Sequence, residues 1–136
     1  MNFKFGKSSE EKLSTVKDDL ANVARKALEL SSIDFGVTEG RRSIEKQKQL
    51  VAEGASKTMK SKHLTGQAID IVAYVDGSIT WELQYYEKIA QSFKKAKNHL
   101  GVKIRWGGNW SGYKTDDYKL DPNNKFVDAV HFELIE

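Results

Sequence analysis

Two apolar stripes at helical spacing dictate that helices in this chain must cover something else. Val16, Leu20, Val23, Ala24, Ala27 and Leu28 recur in steps of three and four within Ser8 to Ser31, the signature of an amphipathic helix. Asp18 and Asp19 stand early in that stripe and Arg25 and Lys26 late, as the helix dipole favours. A break is expected near Lys17. The second stripe, Leu83, Tyr86, Ile89, Ala90, Phe93 and Ala96, runs through Trp81 to Leu100, and Gly101 closes it. A shorter helix is expected over Ser43 to Glu53, with Ile44, Gln47, Leu50 and Val51 on one side and Gly54 as its stop. Strand candidates supply the surface to be covered. They are Asp34 to Glu39, Ala68 to Val75 (AIDIVAYV), Val102 to Trp106, and a last strand within Phe126 to Ile135. Asp76-Gly77 is a turn pair. The fold class that follows is α+β.

Composition narrows the function classes. With 136 residues the chain fits one domain able to fold without staples. It has no cysteine, which excludes a disulfide framework, a thiolate zinc site and a cysteine nucleophile. The balance of 22 Lys+Arg against 19 Asp+Glu gives +3. That charge is too small and dispersed to favour a nucleic-acid binder. No apolar run is long enough for membrane insertion, and the first ten residues hold no secretory h-region. The polar stretch Gly107 to Lys125 is long for so short a chain, and long loops of this kind tend to be functional.

Two strands carry ionisable residues that a core would not choose, and the loop before one of them adds a histidine. Asp70 interrupts AIDIVAYV, and a carboxylate among apolar neighbours costs several kcal/mol unless paired. An arginine partner, a solvated strand face or a metal would each account for it. In the last strand Val130, Phe132 and Leu134 share one face and His131 and Glu133 the other. His63 lies in the loop feeding the Asp70 strand, seven residues before it. Two histidines and a carboxylate with one open position is a catalytic zinc arrangement. Asp128, three residues before His131, is placed for general-base work if His131 binds metal. A surface aspartate at a strand entry fits the spacing equally. Arg42, with Arg41 as rival, stands at a strand-to-helix junction from which a guanidinium can stabilise an oxyanion. His99, near the end of the long helix, reads as structural.

The order EGRRSIEKQ, SKHLTGQAID, RWGGNW and DAVHFEL resembles the VanY/VanX-type zinc D-Ala-D-Ala peptidase family, whose hallmark is Ser-x-His-x(6)-Asp followed later by an acid-x-x-His. FKFGKSSEEKLSTV and ALELSSIDF are similar to its short phage endolysins, the L-alanyl-D-glutamate endopeptidases. The resemblance implies a hedgehog/D-Ala-D-Ala-peptidase-like fold, a small mainly antiparallel sheet packed with helices. It implies one Zn2+ held by His63, Asp70 and His131, with Asp128 as catalytic acid/base and Arg42 as the family arginine. Ser61, Gln47, Trp110 and Tyr118 become candidate substrate-binding residues, and Glu133 a residue that orients His131. Asn109 departs from the Gly-Gly-Asp of many relatives.

The implied partner is bacterial peptidoglycan, cut between L-Ala and D-Glu. The chain is expected to be a catalytic domain without a separate wall-binding module, and a monomer. It would accumulate in the host cytoplasm and reach the wall after holin-mediated release. Asp116, Asp117, Asp121, Asn123 and Asn124 raise the further expectation of a Ca2+ site, against that of a plain solvated loop. Lys94, Lys95 and Lys97 are expected on a solvated helix face, available to an anionic envelope. The alternatives are a D-Ala-D-Ala carboxypeptidase on the same scaffold and a non-catalytic, zinc-stabilised binding domain. Asp128 argues against the second, since a structural site needs no base.

Overall fold

The computed structural model describes residues 3–56, 59–123 and 127–135. The first long stripe folds as two helices, α1 (Lys7–Leu13) and α2 (Asp18–Leu30). Between them the chain turns, and the Lys17 amide bonds to the Gly66 carbonyl at 2.8 Å. Val16 stays buried in that turn although it is not helical. There follow β1 (Asp34–Glu39), α3 (Ile44–Ala52), a 3-10 turn (Lys62–Thr65), β2 (Ala68–Val75), β3 (Ser78–Thr80), α4 (Leu83–Leu100), β4 (Ile104–Trp106), a second 3-10 turn (Gly112–Lys114) and β5 (His131–Leu134).

The strands form one antiparallel sheet in the order β1-β2-β5-β4, with β3 paired to the far end of β2. Strand β3 has no counterpart in the sequence reading, because SIT is too short to show a period. It forms because Asp76 and Gly77, at φ 53 and 79, reverse the chain as a two-residue hairpin requires.

Register divides the sheet into two faces. Ile69 pairs with Phe132, which pairs with Trp106. All three are fully buried in the core beneath α2 and α4. There the Phe93 ring of α4 stacks on Phe132 at 3.8 Å between centroids. The opposite face carries Asp70 across from His131, and Glu133 across from Arg105. Alternation along β2 and β5 thus puts Ile69 and Phe132 under the helices and Asp70, His131 and Glu133 away from them.

Two helical expectations are corrected at the edges. Leu83 is 47% exposed and Ile44 62% exposed, so neither joins the core. Each lies in the first turn of its helix. The Phe126 end of the last strand candidate lies outside the described residues.

Candidate metal centre and cleft

The cluster is assembled by one tight turn and one strand pair. Ser61 caps the 3-10 turn, its Oγ accepting from the His63 amide at 3.2 Å. Gly66 ends the turn at φ 71, and a Cβ there would meet the Thr15 carbonyl at 3.1 Å. Glycine lets the loop fold back over its own strand and brings His63 to Asp70. Cross-strand pairing brings His131 to the same carboxylate.

Asp70 Oδ1 lies 3.2 Å from His63 Nε2 and 3.2 Å from His131 Nδ1. The ligand atoms of the three residues all lie within 4.8 Å of one another, the one such group of three among the described residues. The outer nitrogen of each ring is committed elsewhere. His63 Nδ1 bonds to the Gly40 carbonyl at 2.8 Å, and His131 Nε2 to Glu133 Oε1 at 2.8 Å. With those N–H groups donating outward, both rings aim a lone pair at Asp70. Lone pairs converging on a carboxylate repel unless a proton or cation lies among them. Outer nitrogens tied to a carbonyl and a carboxylate are the usual support of metal-binding histidines. Two ligands on a tetrahedral zinc stand about 3.3 Å apart, close to the separations seen. The donor set fits a divalent metal that prefers nitrogen and oxygen.

The same contacts draw positive charge into the cluster, so that a proton and a metal ion compete for the space between the rings and Asp70. Burial works to raise the Asp70 carboxyl, but the histidine contacts hold it well below the usual carboxylate range. Burial opposes the charging of His131, yet its bonds to Asp70 and Glu133 push it up to about 9. Burial likewise opposes ionisation of Glu133, which His131 and Arg105 bring down to about 2.

A cleft of about 540 Å³ opens over the cluster, and Arg42, Ser61, Arg105, Trp110 and Asp128 are on its walls. Asp128 stands at the exposed rim. Partial enclosure of its carboxyl, reinforced by the negative Asp70, raises it above the usual carboxylate value. Its backbone is pinned by Gly107, whose amide bonds to the His131 carbonyl at 2.8 Å and whose carbonyl accepts from the Asp128 amide at 2.8 Å. A Cβ on Gly107 would come within 2.2 Å of the Asp128 carbonyl oxygen.

Arg42 is the arginine of the cleft, and Arg41 points to solvent. Arg42 Nε donates to Glu39, one terminal nitrogen donates to Gln47 Oε1 at 2.7 Å, and the other lies 3.9 Å from Asp70 Oδ2. A bulge between Val37 and Glu39 sets Glu39 opposite Asp70 and brings it to this arginine.

Several expected residues fall elsewhere. Gln47 is fully buried and holds Arg42 and Ser56, so it stands behind the cleft wall. Tyr118 is core, 2% exposed, its hydroxyl donating to the Ile104 carbonyl. Its spacing in a polar loop hid that anchor. Asn109 is buried and donates to the Lys119 carbonyl at 3.0 Å, so it braces the loop. The carboxylates raised as calcium ligands turn to separate partners. Asp116 pairs with Lys97 at 2.7 Å, Asp117 accepts from the Lys119 amide and Asp121 from the Asn123 amide; Asn124 lies outside the described residues. Lys97 is therefore engaged in the fold and not offered to an envelope, while Lys95 is exposed and Lys94 half-buried. Trp110 does reach the cleft, its ring 5.5 Å from that of His131. Sequence reasoning missed Glu39, Lys62 and Arg105, all on the cleft wall. The register that aligns Arg105 with Glu133 was the signal, and it is visible only once the strands are paired.

The likeness to known proteins begins with architecture. The vancomycin-resistance D,D-dipeptidase VanXYg, solved with a D-Ala-D-Ala phosphinate analog, superposes with a TM-score of 0.50 at 19% identity, over 88% of this chain and 50% of that one. At that identity the match shows the fold alone, which is that of VanX-like peptidases. The crystal structure of the Serratia marcescens L-Ala D-Glu endopeptidase ChiX is much nearer, with a TM-score of 0.84 and 37% identity over 98% of this chain and 91% of that one. The L-alanyl-D-glutamate peptidase of Escherichia phage T5 is 41% identical over 139 residues, spanning 99% of this chain and 100% of that protein. The family model described as phage L-alanyl-D-glutamate peptidase matches residues 1–135. This chain belongs to that family.

Proposed function

We propose that the chain is a zinc-dependent endopeptidase that hydrolyses the L-Ala–D-Glu amide of the peptidoglycan stem peptide, its residues acting as one catalytic unit. The observation that carries the reading is the convergence of His63 Nε2, His131 Nδ1 and Asp70 Oδ1, each ring braced on its far side. These three residues would hold one Zn2+, and the bound ion supplies a Lewis acid that polarises the amide carbonyl and acidifies the attacking water.

The rest of the work falls to the protein. Asp128 takes the proton of the attacking water at its carboxylate and returns it to the leaving D-Glu amine. Burial of its carboxyl works in the direction of a stronger base. Arg42, held by Glu39 and Gln47, keeps a guanidinium edge toward the cleft to stabilise the carbonyl oxygen as it turns negative. Preorganisation matters here, because a donor already fixed costs no reordering during the reaction. Ser61 and Trp110 shape the cleft around the peptide. In a phage, the enzyme reaches the wall after a holin opens the host membrane.

Mass spectrometry of purified peptidoglycan treated with the zinc-loaded protein tests this. Stem peptides with a new D-Glu amino terminus, and muramyl-L-Ala left behind, are expected. Loss of terminal D-Ala instead would move the chain to the carboxypeptidase reaction on the same scaffold. An unchanged digest with zinc bound would leave a non-catalytic binding domain.

A further inference from the structure

We propose that Arg105 is a positioning residue of the metal centre, acting on His131 through Glu133. This rests on the zinc reading above. The two residues face each other across β4 and β5. Arg105 Nε and a terminal nitrogen both donate to Glu133 Oε2, at 3.1 and 2.7 Å. The other carboxylate oxygen, Oε1, accepts from His131 Nε2 at 2.8 Å. Glu133 is 6% exposed, so its two oxygens have little water to choose instead. Arg105 therefore fixes which oxygen faces the imidazole and at what angle. That angle sets the direction of Nδ1, the atom aimed at Asp70.

Arg105 also ties this relay to the β4–β5 connection. Its guanidinium carbon lies 5.7 Å from the ring centroid of Trp110 and 5.7 Å from that of Tyr113, within cation–π range. The two aromatic residues hold the guanidinium from the loop side and the carboxylate holds it from the sheet side. A loop that shapes the cleft and a ligand that binds the ion thus share one cation.

Two effects of removing Arg105 oppose each other. Glu133 would lose a counter-charge and become a stronger acceptor, which tightens metal binding by His131. It would also lose the fork that sets its orientation, which loosens it. Lys62 Nζ remains 3.5 Å from Glu133 Oε2, so much of the counter-charge survives while the two-point geometry does not. Loss of orientation wins, and affinity should fall.

The test is zinc affinity by competition with a chromophoric chelator, with the visible spectrum of the Co2+-substituted protein as a second readout. Arg105→Met keeps the stem and removes the donors. It is expected to weaken zinc binding about tenfold, the low end for residues that support metal ligands, and to shift the Co2+ bands. Arg105→Lys, restoring one donor, should recover part of both. Arg25→Met, which breaks the exposed pair with Glu10, should change neither. Unaltered affinity and bands in Arg105→Met, with the unaltered protein binding zinc tightly, would overturn the proposal and leave the zinc reading standing. Failure of the unaltered protein to bind zinc would overturn both.

Discussion

The metal-ligand cluster and the β4–β5 connection are both polar, and they are held in opposite ways. The cluster hangs on main-chain pairing. Asp70 and His131 face each other because β2 and β5 pair in that register, and His63 follows from a turn closed by Gly66. Among its described residues the connection has no strand of its own, and side chains from α4 hold it. Glu87 accepts from the Leu120 amide at 2.7 Å, Gln91 donates to the Tyr118 carbonyl at 2.8 Å, and Lys97 pairs with Asp116. Glu87, Gln91 and Asn98, whose amide donates to Asp116 at 3.0 Å, recur at helical spacing, so one polar face of α4 grips the loop while the apolar face packs on the core. A site built this way has ligands fixed by the sheet and a rim that, apart from its link through Arg105, can be altered separately.

That separation can be tested from its strongest consequence downward. His131→Ala should abolish both zinc binding and hydrolysis, and so should His63→Ala. Metal analysis after dialysis, with turnover on peptidoglycan, checks it; a stoichiometric ion in either variant would remove that histidine from the ligand set. Asp128→Asn should keep the ion and lose about 10²–10⁴ in turnover, the usual contribution of a positioned acid/base. Near-normal hydrolysis would show that the proton moves elsewhere. Arg42→Ala should cost about a hundredfold in kcat with zinc retained, whereas Arg41→Ala, on the exposed side of the same junction, should change little. The reverse order, in folded variants, would mean that the wrong arginine is credited.

How much of this was legible in the sequence follows from the same contrast. The strands over Asp34–Glu39 and Ala68–Val75 have the bounds that their residues suggest, because a short apolar run stopped by Gly40 or by Asp76-Gly77 is a local signal. The grouping of His63, Asp70 and His131 was reached through a family pattern, since spacing alone cannot tell a loop that folds back from one that runs away. Arg105 and Glu39 were invisible for a different reason. Their roles depend on which residue lies across from them, one in the pairing of β4 with β5 and the other after a bulge. Tyr118 misled for a third reason. A tyrosine in a polar loop fits a cleft wall and a small satellite core equally until a carbonyl from β4 is seen to accept its hydroxyl.

The weakest link of the connection should yield the smallest effect and the most specific one. Lys97 is 9% exposed and its ammonium meets Asp116, Asn98 Oδ1 at 2.9 Å and the Tyr118 ring at 5.2 Å from the centroid. Lys97→Met keeps the stem that packs on Tyr118 and removes the charge. Asp116 is itself half-exposed, so solvent screening limits the loss to about 1 kcal/mol. The pH dependence identifies the partner. Contact with Lys97, with help from Asn98 and Lys94, holds the Asp116 carboxyl below its ordinary value. A carboxylate depressed on folding stabilises the protein above its unfolded value, and that contribution fades as acid titrates it through its folded value. The stability gap between the unaltered protein and Lys97→Met, measured by urea unfolding, should therefore be constant near neutrality and close on acidification below the usual carboxylate range. Zinc affinity should stay the same throughout the neutral range, because nothing in the β2–β5 pairing depends on this lysine. A gap that persists unchanged into acid would assign the effect to stem packing on Tyr118. A fall in zinc affinity would show that rim and ligands are coupled beyond Arg105, and the two regions would have to be treated as one.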